Sequence, residues 1–384
     1  MTIQFDWITD VPTPYRNHLF EKMVEIFPRH DIEFRVRFMA WTVTRRPWNF
    51  ANDELNYPWT LHRNVLSRLA RREIHINPGL LGALRTEPAD VVMIGGWASP
   101  THVAAPFVTP KSVVKILGCE SHLDSMQRRD RFSTAVKRGV VRSYDAFLVP
   151  GTRSRELICA LDADAAEKPW VMLPNVIDAK LFRDRVTSLR RDRDALRKKH
   201  AVPDGHQLWF CPARLVPEKG LLEFLPRLEG IERVQLLIAG DGPLRQDVDA
   251  LLARARLPVR LLGHRPEADV LELYAAADVF VLPSMADASP LSAVEAAAAG
   301  LPLLLSRRAG NSDELVVEGH NGWIYEVDGG EATLDQLRRV AAMAPAELAI
   351  MGERSREIYM TRFNSDVCVE RLATFIEGLV ERKA

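Results

Sequence analysis

Short apolar runs alternate with amphipathic segments along the chain, and the runs are apolar throughout rather than at every second position. In the first half they are Val91–Trp97, Ser112–Gly118, Asp145–Gly151 and Trp170–Asn175. In the second half they are Gln207–Arg214, Val234–Gly242, Val259–Gly263, Asp278–Ser284 and Pro302–Ser306. Helical patterns such as Leu271–Ala277 separate them. Because buried parallel strands carry this pattern, the sequence predicts an α/β protein with parallel sheets covered on both faces.

A strongly charged segment, L-R-R-D-R-D-A-L-R-K-K-H, interrupts the alternation between Asp178 and Gly205. We interpret it as an exposed helix or a linker. The chain length of 384 residues favours two domains. We therefore predict an N-terminal domain over residues 1–178, a linker over 179–205 and a C-terminal domain over 206–358. A last helix, about Met351–Arg382, has no strand after it.

Composition excludes several classes of protein. The formal net charge is +0, so general polyanion binding, including nucleic acid, is not indicated, and the apolar content of 47% supports substantial cores. The cysteines have no C-x-x-C spacing, which argues against a zinc site or disulfide framework: Cys119, Cys159, Cys211 and Cys368. There is no apolar run long enough for a membrane span and no signal-peptide pattern, so we expect a cytoplasmic protein.

The segment Asp287–Gly300, D-A-S-P-L-S-A-V-E-A-A-A-A-G, follows a predicted strand and indicates a loop that opens a helix. Ser289 is predicted as the N-cap, Pro290 as the first helical residue and Gly300 as the residue after the helix. The start of the helix then offers free amides, which favour an anion such as phosphate. The residues that supply them are Ala288, Ser289, Leu291 and Ser292.

Two carboxylates flank this predicted phosphate site. Asp287 lies in the loop, and Glu295 lies five residues beyond Pro290, roughly 7.5 Å along the helix axis. The arrangement suits a ligand with hydroxyl groups at both ends and phosphate in the middle. The alternative interpretation is a solvated loop acid and a surface helix acid.

A second group of polar residues follows the predicted strand Gln207–Arg214. Arg214 and Lys219 can hold a diphosphate between a planar guanidinium and a point charge, and Gly220 permits close backbone approach. Exposed loop cations are the plainer alternative. The next strands end in A-G-D-G-P, which contains Gly242, and in L-G-H-R, which contains His264 and Arg265. The alternative for A-G-D-G-P is a simple turn, and the alternative for His264 and Arg265 is a pair of side chains that face solvent.

The acids Asp287 and Glu295, together with R-L-V-P-E-K-G, A-G-D-G-P, G-N-S-D-E-L and E-G-H-N-G-W in this order, resemble retaining glycosyltransferases of family 4, which have the GT-B fold. The resemblance implies two Rossmann-like domains facing across a cleft, with a last segment, 359–384, that crosses back to the N-terminal domain. Arg214 and Lys219 would hold the diphosphate of a UDP- or GDP-sugar.

The same resemblance implies that Glu295 binds the ribose and that Asp287 orients the donor sugar. Gly242, His264 and Arg265 would lie near the nucleotide. The donor phosphate would also meet the loop that contains Ser289, Leu291 and Ser292. Asp287 replaces the usual Glu of the family, and Ala288-Ser289-Pro290 replaces Gly-Phe-Gly, so the identity of the donor sugar stays open.

The acceptor is expected in the N-terminal half. Tyr15 and Arg16 follow the first strand, where they can meet a sugar and a phosphate. Glu120 and His122 follow the strand that ends at Gly118, and either one is a candidate base or hydroxyl ligand. Gly95-Gly96-Trp97 is expected to permit close approach in the cleft. Cap, surface and core-turn roles are the alternatives for these residues.

Three further segments resemble functional motifs more weakly. Arg128–Arg142 is rich in cations and has apolar residues at near-helical spacing, so we hypothesise contact with anionic lipid, with an exposed amphipathic helix as the alternative. The D-x-D pairs Asp162/Asp164 and Asp192/Asp194 do not follow strands, and we interpret them as surface acids. The resemblance implies no obligatory metal.

The combined prediction is a retaining glycosyltransferase of the EC 2.4 type, with an NDP-sugar donor and a glycan, glycolipid or small-molecule acceptor. His122, Asp287, Arg214 and Lys219 are its predicted catalytic residues. Two alternatives are a sugar-nucleotide epimerase on the same fold and a catalytically silent nucleotide-sugar binder.

Overall fold

The computed structural model describes residues 2–42, 54–65, 74–123 and 131–383, and the chain divides into two compact units. The N-terminal unit comprises Met1–Val176 together with Ser365–Ala384, and the C-terminal unit comprises Ile177–Asn364. Each unit is built around its own parallel sheet. In the described ranges, none of the helices has the length and apolarity that crossing a membrane requires.

The sheet of the N-terminal unit has the strand order β3-β2-β1-β4-β5-β6-β7, with every pair parallel. The strands are β1 (Ile3–Thr9), β2 (Ile32–Phe38), β3 (Trp59–Leu61), β4 (Val91–Gly95), β5 (Val114–Gly118), β6 (Ala146–Val149) and β7 (Trp170–Met172). The helices between them are α1 (Pro14–Ile26), α2 (Pro78–Thr86), α3 (Pro100–Val108), α4 (Arg131–Arg142) and α5 (Thr152–Leu161).

The sheet of the C-terminal unit has the order β10-β9-β8-β11-β12-β13, again all parallel. Its strands are β8 (Gln207–Pro212), β9 (Val234–Ala239), β10 (Val259–Gly263), β11 (Val279–Leu282), β12 (Leu303–Ser306) and β13 (Gly322–Tyr325). Its helices are α6 (Ala179–Arg190), α7 (Arg193–Lys199), α8 (Leu221–Phe224), α9 (Arg245–Arg254), α10 (Glu267–Ala276), α11 (Leu291–Ala299), α12 (Ser312–Leu315), α13 (Gly330–Ala341) and α14 (Pro345–Arg362).

Each sheet reverses its strand order beside its first strand, which is β1 in one unit and β8 in the other. Ligands of open α/β sheets bind at the carboxyl ends of the strands at such a switch point. The predicted strands are all present, and most are shorter than predicted at one or both ends. Strands β2, β3 and β13 were not among the predicted ones, and β2 alternates apolar with charged residues instead of being apolar throughout.

The charged segment predicted as a linker belongs to the C-terminal unit instead. It forms α6 and α7, and Val186 and Leu196 are buried in the same core cluster as the strands of that unit. Arg193 and Arg197 both form ion pairs with Asp278, which directly precedes β11. These two arginines of the segment therefore bind a specific carboxylate beside the sheet, and most of its other charged residues are exposed to solvent.

The predicted single helix over Met351–Arg382 is two helices, α14 and a final helix α15 (Ser365–Lys383). The break at Phe363 and Asn364 coincides with the boundary between the units. Helix α14 packs on α11 of the C-terminal unit, whereas α15 packs on α1 of the N-terminal unit. The chain therefore ends one helix and begins the next where it passes from one unit to the other.

Helix α15 is also held to the N-terminal unit by a histidine between two acids. His30 Nε2 lies 2.8 Å from Glu370 Oε2, and its Nδ1 lies 3.1 Å from Glu377 Oε1. The hydrogen bond to Glu370, assisted by Glu377, raises the pKa of His30 above its ordinary value. A raised folded-state pKa stabilises the fold fully below the unfolded pKa of about 6.5, and this stabilisation is lost as the pH rises through the folded pKa.

We therefore predict that the free energy of unfolding of wild type exceeds that of His30→Gln at acidic pH. The difference should shrink as the pH rises past the pKa of His30. Chemical denaturation monitored between about pH 5 and 8 measures it, with His206→Gln as the control because His206 has no carboxylate partner in the described ranges. A constant difference across this pH range would contradict the prediction.

Candidate functional site

The loops at the carboxyl edge of the C-terminal sheet are tied to one another by backbone hydrogen bonds. The amide of Met285, after β11, donates to the carbonyl of Glu218, after β8, at 2.8 Å. The amide of Gly310, after β12, donates to the carbonyl of Asp287 at 2.7 Å. The three loops therefore form one connected surface around Asp287.

Two glycines allow these loops to approach closely. Gly220 has φ +63°, and a Cβ there would lie 2.2 Å from the carbonyl oxygen of Pro283. A Cβ on Gly242 would lie 2.4 Å from the carbonyl oxygen of Leu215. Gly242 thus has a packing role in this structure, while its predicted contact with the nucleotide remains a prediction.

Lys219 and Asp287 form a direct ion pair. Their side chains keep only 16% and 20% exposure, so the pair is partly desolvated. The sequence prediction gave the two residues separate tasks, one at the diphosphate and one at the sugar. The structure brings them together, so the lysine charge is already partly balanced by a carboxylate.

Arg214 differs from Lys219 in its surroundings. It is exposed, and no side-chain hydrogen bond or ion pair of Arg214 is found in the described part of the chain. A guanidinium in this state has all of its donors available to an anion. The predicted diphosphate site therefore has one unpaired cation, Arg214, and one cation, Lys219, that is paired with Asp287.

Helix α11 begins one residue later than predicted. Pro290 is the N-cap, with φ −63° and ψ 114°, whereas Ser289 is buried before it. The carbonyl of Pro290 accepts from the amide of Ala293 at 3.2 Å and from Asn311 Nδ2 at 3.1 Å. A proline at this position loses no hydrogen bond, because the amide of an N-cap has no partner within the helix.

The amides at this helix start remain available. Within the described ranges, no acceptor is found for the amides of Ala288, Leu291 and Ser292. These free amides are consistent with the anion-binding role that the sequence predicts for the start of α11. The helix ends as predicted at Gly300, which has φ +73° and is the C-cap.

Glu295 has a partner that the sequence did not reveal. The hydroxyl of Tyr274, on α10, lies 2.8 Å from Glu295 Oε2. Burial raises the pKa of Glu295, and the hydrogen bond from Tyr274 opposes that rise. Tyr274 appears in the sequence only as one more apolar position of a helical pattern, so no signal there points to the contact.

The two residues predicted near the base follow β10 and are exposed. His264 faces solvent, and Arg265 Nη1 lies 3.6 Å from Asp269 Oδ2 on the next turn. Their side chains are therefore accessible, and their contact with a nucleotide base remains a prediction.

The N-terminal unit has its own pocket at the carboxyl ends of β1, β4 and β5, with a volume of about 190 Å³. Asp10, Arg16, Trp97 and Glu120 are among its lining residues. Arg16 donates to Thr9 Oγ1 and forms an ion pair with Glu120. The pocket therefore combines a cation and acids with apolar walls, a combination that is typical of small-molecule sites.

His122 is 1% exposed, so Glu120 is the more accessible of the two predicted acceptor-side residues. The side chain of Tyr15 lies outside the described residues, as do residues 128–130 of the basic segment. Gly96 and Trp97 line the pocket.

A polar cluster beside this pocket was missed by the sequence analysis. His75 Nε2 and His102 Nε2 lie 3.6 and 3.7 Å from the same oxygen, Asp10 Oδ1. Burial lowers the pKa of His102. The three residues come from separate loops and helices, so only the fold brings them together.

One of the D-x-D interpretations was wrong. Asp162 is buried and accepts a hydrogen bond from Arg142 Nε at 3.0 Å, because the end of α5 turns it toward α4. Asp164, Asp192 and Asp194 are exposed, as expected of surface acids. Among the described residues, no cluster of three potential ligands has a metal-binding arrangement.

Comparison with known proteins finds a family match within the C-terminal unit. Residues 192–357 match the family described as Glycosyl transferases group 1. This match covers less than half of the 384-residue chain. The matched segment contains the loops after β8, β10, β11 and β12, so a likeness to group 1 glycosyl transferases is supported where the donor-site residues were predicted.

Two curated relatives of the chain have transferase names. The chain is 28% identical over 223 residues to the GDP-mannose-dependent monoacylated alpha-(1-6)-phosphatidylinositol monomannoside mannosyltransferase of Corynebacterium glutamicum, which is 54% of this chain and 55% of the relative. It is 26% identical over 310 residues to the sulfoquinovosyl transferase SQD2 of Arabidopsis thaliana, which is 79% of this chain and 58% of the relative. The chain thus spans somewhat more than half the length of these relatives.

Solved structures show the fold. HepE of Anabaena in complex with UDP has a TM-score of 0.69 at 18% identity, over 98% of this chain and 100% of that one. Sucrose-phosphate synthase of Thermosynechococcus elongatus has a TM-score of 0.70 at 17% identity, over 99% and 100%. The predicted GT-B fold is therefore confirmed.

The Lys219–Asp287 pair generates a prediction about diphosphate binding. Lys219→Ala removes a cation and leaves the Asp287 carboxylate unbalanced beside the site. The affinity for UDP or GDP should therefore fall by roughly tenfold or more, because a charged hydrogen bond contributes about 1.5–3 kcal/mol. The free nucleosides should bind as before. Calorimetry on both classes of compound measures this.

The control is Lys199→Ala, which breaks an ion pair with Glu272 between α7 and α10 rather than at the strand ends. In the double variant Lys219→Ala/Asp287→Asn, the excess negative charge is gone, so part of the lost affinity should return. A double variant that binds no better than Lys219→Ala would argue against the unbalanced carboxylate.

Proposed function

We propose that the protein is a retaining glycosyltransferase of family 4 that moves a sugar from a nucleotide-diphosphate sugar to a saccharide or lipid-linked acceptor. The observation that carries the proposal is the grouping of Lys219, Asp287 and the amide-rich start of α11 on one connected loop surface. This grouping contains donors for phosphate and an acceptor for sugar hydroxyls. The transferase names of the relatives support the same class of reaction.

The chemistry follows from where charge develops. As the bond from the sugar to the diphosphate breaks, negative charge builds on the leaving group, and Arg214, Lys219 and the amides of Leu291 and Ser292 stabilise it. Asp287 orients the sugar, and it keeps Lys219 in place before the donor arrives. The departing phosphate is then the base for front-face attack by the acceptor hydroxyl, which retains the anomeric configuration.

The donor carries UDP or GDP. HepE was solved with UDP, and the Corynebacterium relative is named as GDP-mannose-dependent, so both bases occur among similar proteins. Glu295 binds the ribose, which both nucleotides share. His264 and Arg265 are the exposed side chains that we assign to the base.

The acceptor binds in the pocket of the N-terminal unit. Arg16 and Glu120 supply a cation and an acid there, and Asp10 adds a second carboxylate. We assign the accessible Glu120 to an acceptor hydroxyl, with His122 supporting the same strand end from within. For lipid-linked acceptors, the exposed Phe132 and the cations of α4 supply an apolar and basic face that can contact anionic lipid.

The decisive experiment combines binding and product analysis. A thermal-shift screen with UDP, GDP, UDP-glucose and GDP-mannose identifies the nucleotide, since a compound at 100 times its dissociation constant adds about 2.7 kcal/mol. NMR of the product then reports the anomeric configuration. An inverted configuration rejects retention, product without acceptor favours an epimerase, and binding without turnover favours a silent binder.

The two acids at α11 should have separable effects. Glu295→Gln should weaken UDP or GDP and the intact donor alike, by roughly tenfold, because it removes the charge that faces the ribose. Asp287→Asn should reduce sugar transfer more than it reduces the affinity for free UDP or GDP. Calorimetric affinities with turnover for both variants measure this. Equal losses of free-nucleotide affinity would remove the division between ribose and sugar.

The acceptor pocket gives a further prediction. Glu120→Gln should lower transfer and raise the acceptor KM, while the affinity for UDP or GDP stays unchanged. His122→Gln should act in the same direction. Glu25→Gln is the control, because Glu25 is an exposed acid that pairs with Lys22 at 2.9 Å on α1. Wild-type transfer by a folded Glu120→Gln variant would move the acceptor hydroxyl away from this residue.

A further inference from the structure

The hydroxyl of Tyr274 has one proton and two acceptors within reach. Glu295 Oε2 lies 2.8 Å away, and the backbone carbonyl oxygen of Ser292 lies 3.1 Å away. A tyrosine hydroxyl can donate to only one of them at a time. Both acceptors belong to α11, the helix that begins at the predicted phosphate site. The hydroxyl therefore lies where the state of Glu295 and the first turn of α11 meet.

The ring of Tyr274 has little freedom to move. It is fully buried, and its neighbours are Phe182 and Phe210 in edge contacts at 5.5 and 5.1 Å and Phe280 in a stacked contact at 6.3 Å. Phe182 lies on α6, within the segment that the sequence suggested as a linker. Such a packed ring holds its hydroxyl at a fixed point. The hydroxyl can therefore select one orientation of the Glu295 carboxylate.

The second carboxylate oxygen of Glu295 is left for another partner. In the described part of the chain, no hydrogen bond to Glu295 Oε1 is found, and Glu295 itself is only half-buried. We propose that Tyr274 is a positioning residue for the donor site, whose hydroxyl orients Glu295 through Oε2 so that Oε1 meets the ribose hydroxyls of a nucleoside diphosphate. This inference rests on the proposed function and adds a residue to it.

The charged groups around α11 come from several elements. Helix α10 supplies Tyr274 and Glu267, α6 supplies Arg190 near the Tyr274 carbonyl, α14 supplies Arg356 near the Ala299 carbonyl, and α12 carries Asp313 and Glu314. Burial raises the pKa of Glu295, Glu267 adds to the rise, and Tyr274 opposes it. Tyr274→Phe should therefore raise the pKa of Glu295 further.

The sign of the pH effect follows. The ionised carboxylate accepts from ribose hydroxyls, so nucleotide affinity declines as the pH falls through the pKa of Glu295. When Glu295 is protonated, its own hydroxyl can donate to Tyr274, whose proton then turns to the Ser292 carbonyl. Loss of the tyrosine hydroxyl removes both arrangements. The acid-side decline in affinity should then begin at higher pH.

The test is calorimetric binding of UDP, GDP and their 2′-deoxy analogues from about pH 5 to 8 to wild type, Tyr274→Phe and Glu295→Gln. Tyr274→Phe should bind UDP or GDP roughly tenfold more weakly, and its affinity should decline at higher pH than that of wild type. Its preference for ribose over 2′-deoxyribose should shrink. Glu295→Gln should keep only the pH dependence that all of the variants share, such as that of the terminal phosphate of the nucleotide, whose second pKa is about 6.

Tyr325→Phe is the matched control. Tyr325 is also buried in the C-terminal unit, and its hydroxyl has no hydrogen-bond partner in the described residues, so the same chemical change removes no contact. It should match wild type in affinity, pH profile and preference for ribose. The free energy of unfolding is measured for both phenylalanine variants. A merely structural effect of Tyr274→Phe would lower this free energy without moving the pH profile of binding.

The possible outcomes are distinct. If wild type binds UDP or GDP and Tyr274→Phe has the pH profile and ribose preference of Tyr325→Phe, the positioning role of Tyr274 is wrong and the proposed function survives. If wild type binds neither nucleotide, the proposed function fails and takes this inference with it. A shifted pH profile with a reduced preference for ribose supports Tyr274 as the positioning residue.

Discussion

The ion pair between Lys219 and Asp287 is the interaction on which the proposed donor site depends. It joins the loop after β8 to the loop after β11, and the backbone bond from Met285 to Glu218 reinforces the same junction. Because both side chains are partly desolvated, their attraction is stronger than that of an exposed pair. The loop that precedes α11 is thereby placed beside a cation before any nucleotide is present.

Behind this polar surface, the site depends on apolar packing. The aromatic ring of Tyr274 connects the sheet, α6 and the acid of α11, so a buried cluster fixes a hydrogen bond at the edge of the site. A carboxylate in such surroundings is costly to ionise without a donor, and the tyrosine supplies one. Helix α6 therefore contributes to the site through the contact of Phe182 with Tyr274.

The two units differ in how specifically their function can be recognised. The C-terminal unit contains the matched group 1 segment, and its polar residues lie on loops that directly follow strands. The N-terminal unit has a comparable edge, but its polar groups are distributed over Asp10, Arg16, Glu120 and two histidines from separate elements. A short motif cannot describe such a set, because its members are far apart in the chain.

The sequence by itself determined the parallel α/β architecture, most of the strand positions and the end of α11 before Gly300, because these depend on local periodicity and on backbone conformations that few residues adopt. It also marked Arg214, Lys219, Asp287 and Glu295 as the candidate donor site. Only the tertiary structure decided which residues touch. Lys219 meets Asp287 across 68 positions and Tyr274 meets Glu295 across 21, while the charged segment before β8 joined a core instead of linking two. Such contacts arise from packing between elements, which local sequence patterns do not encode.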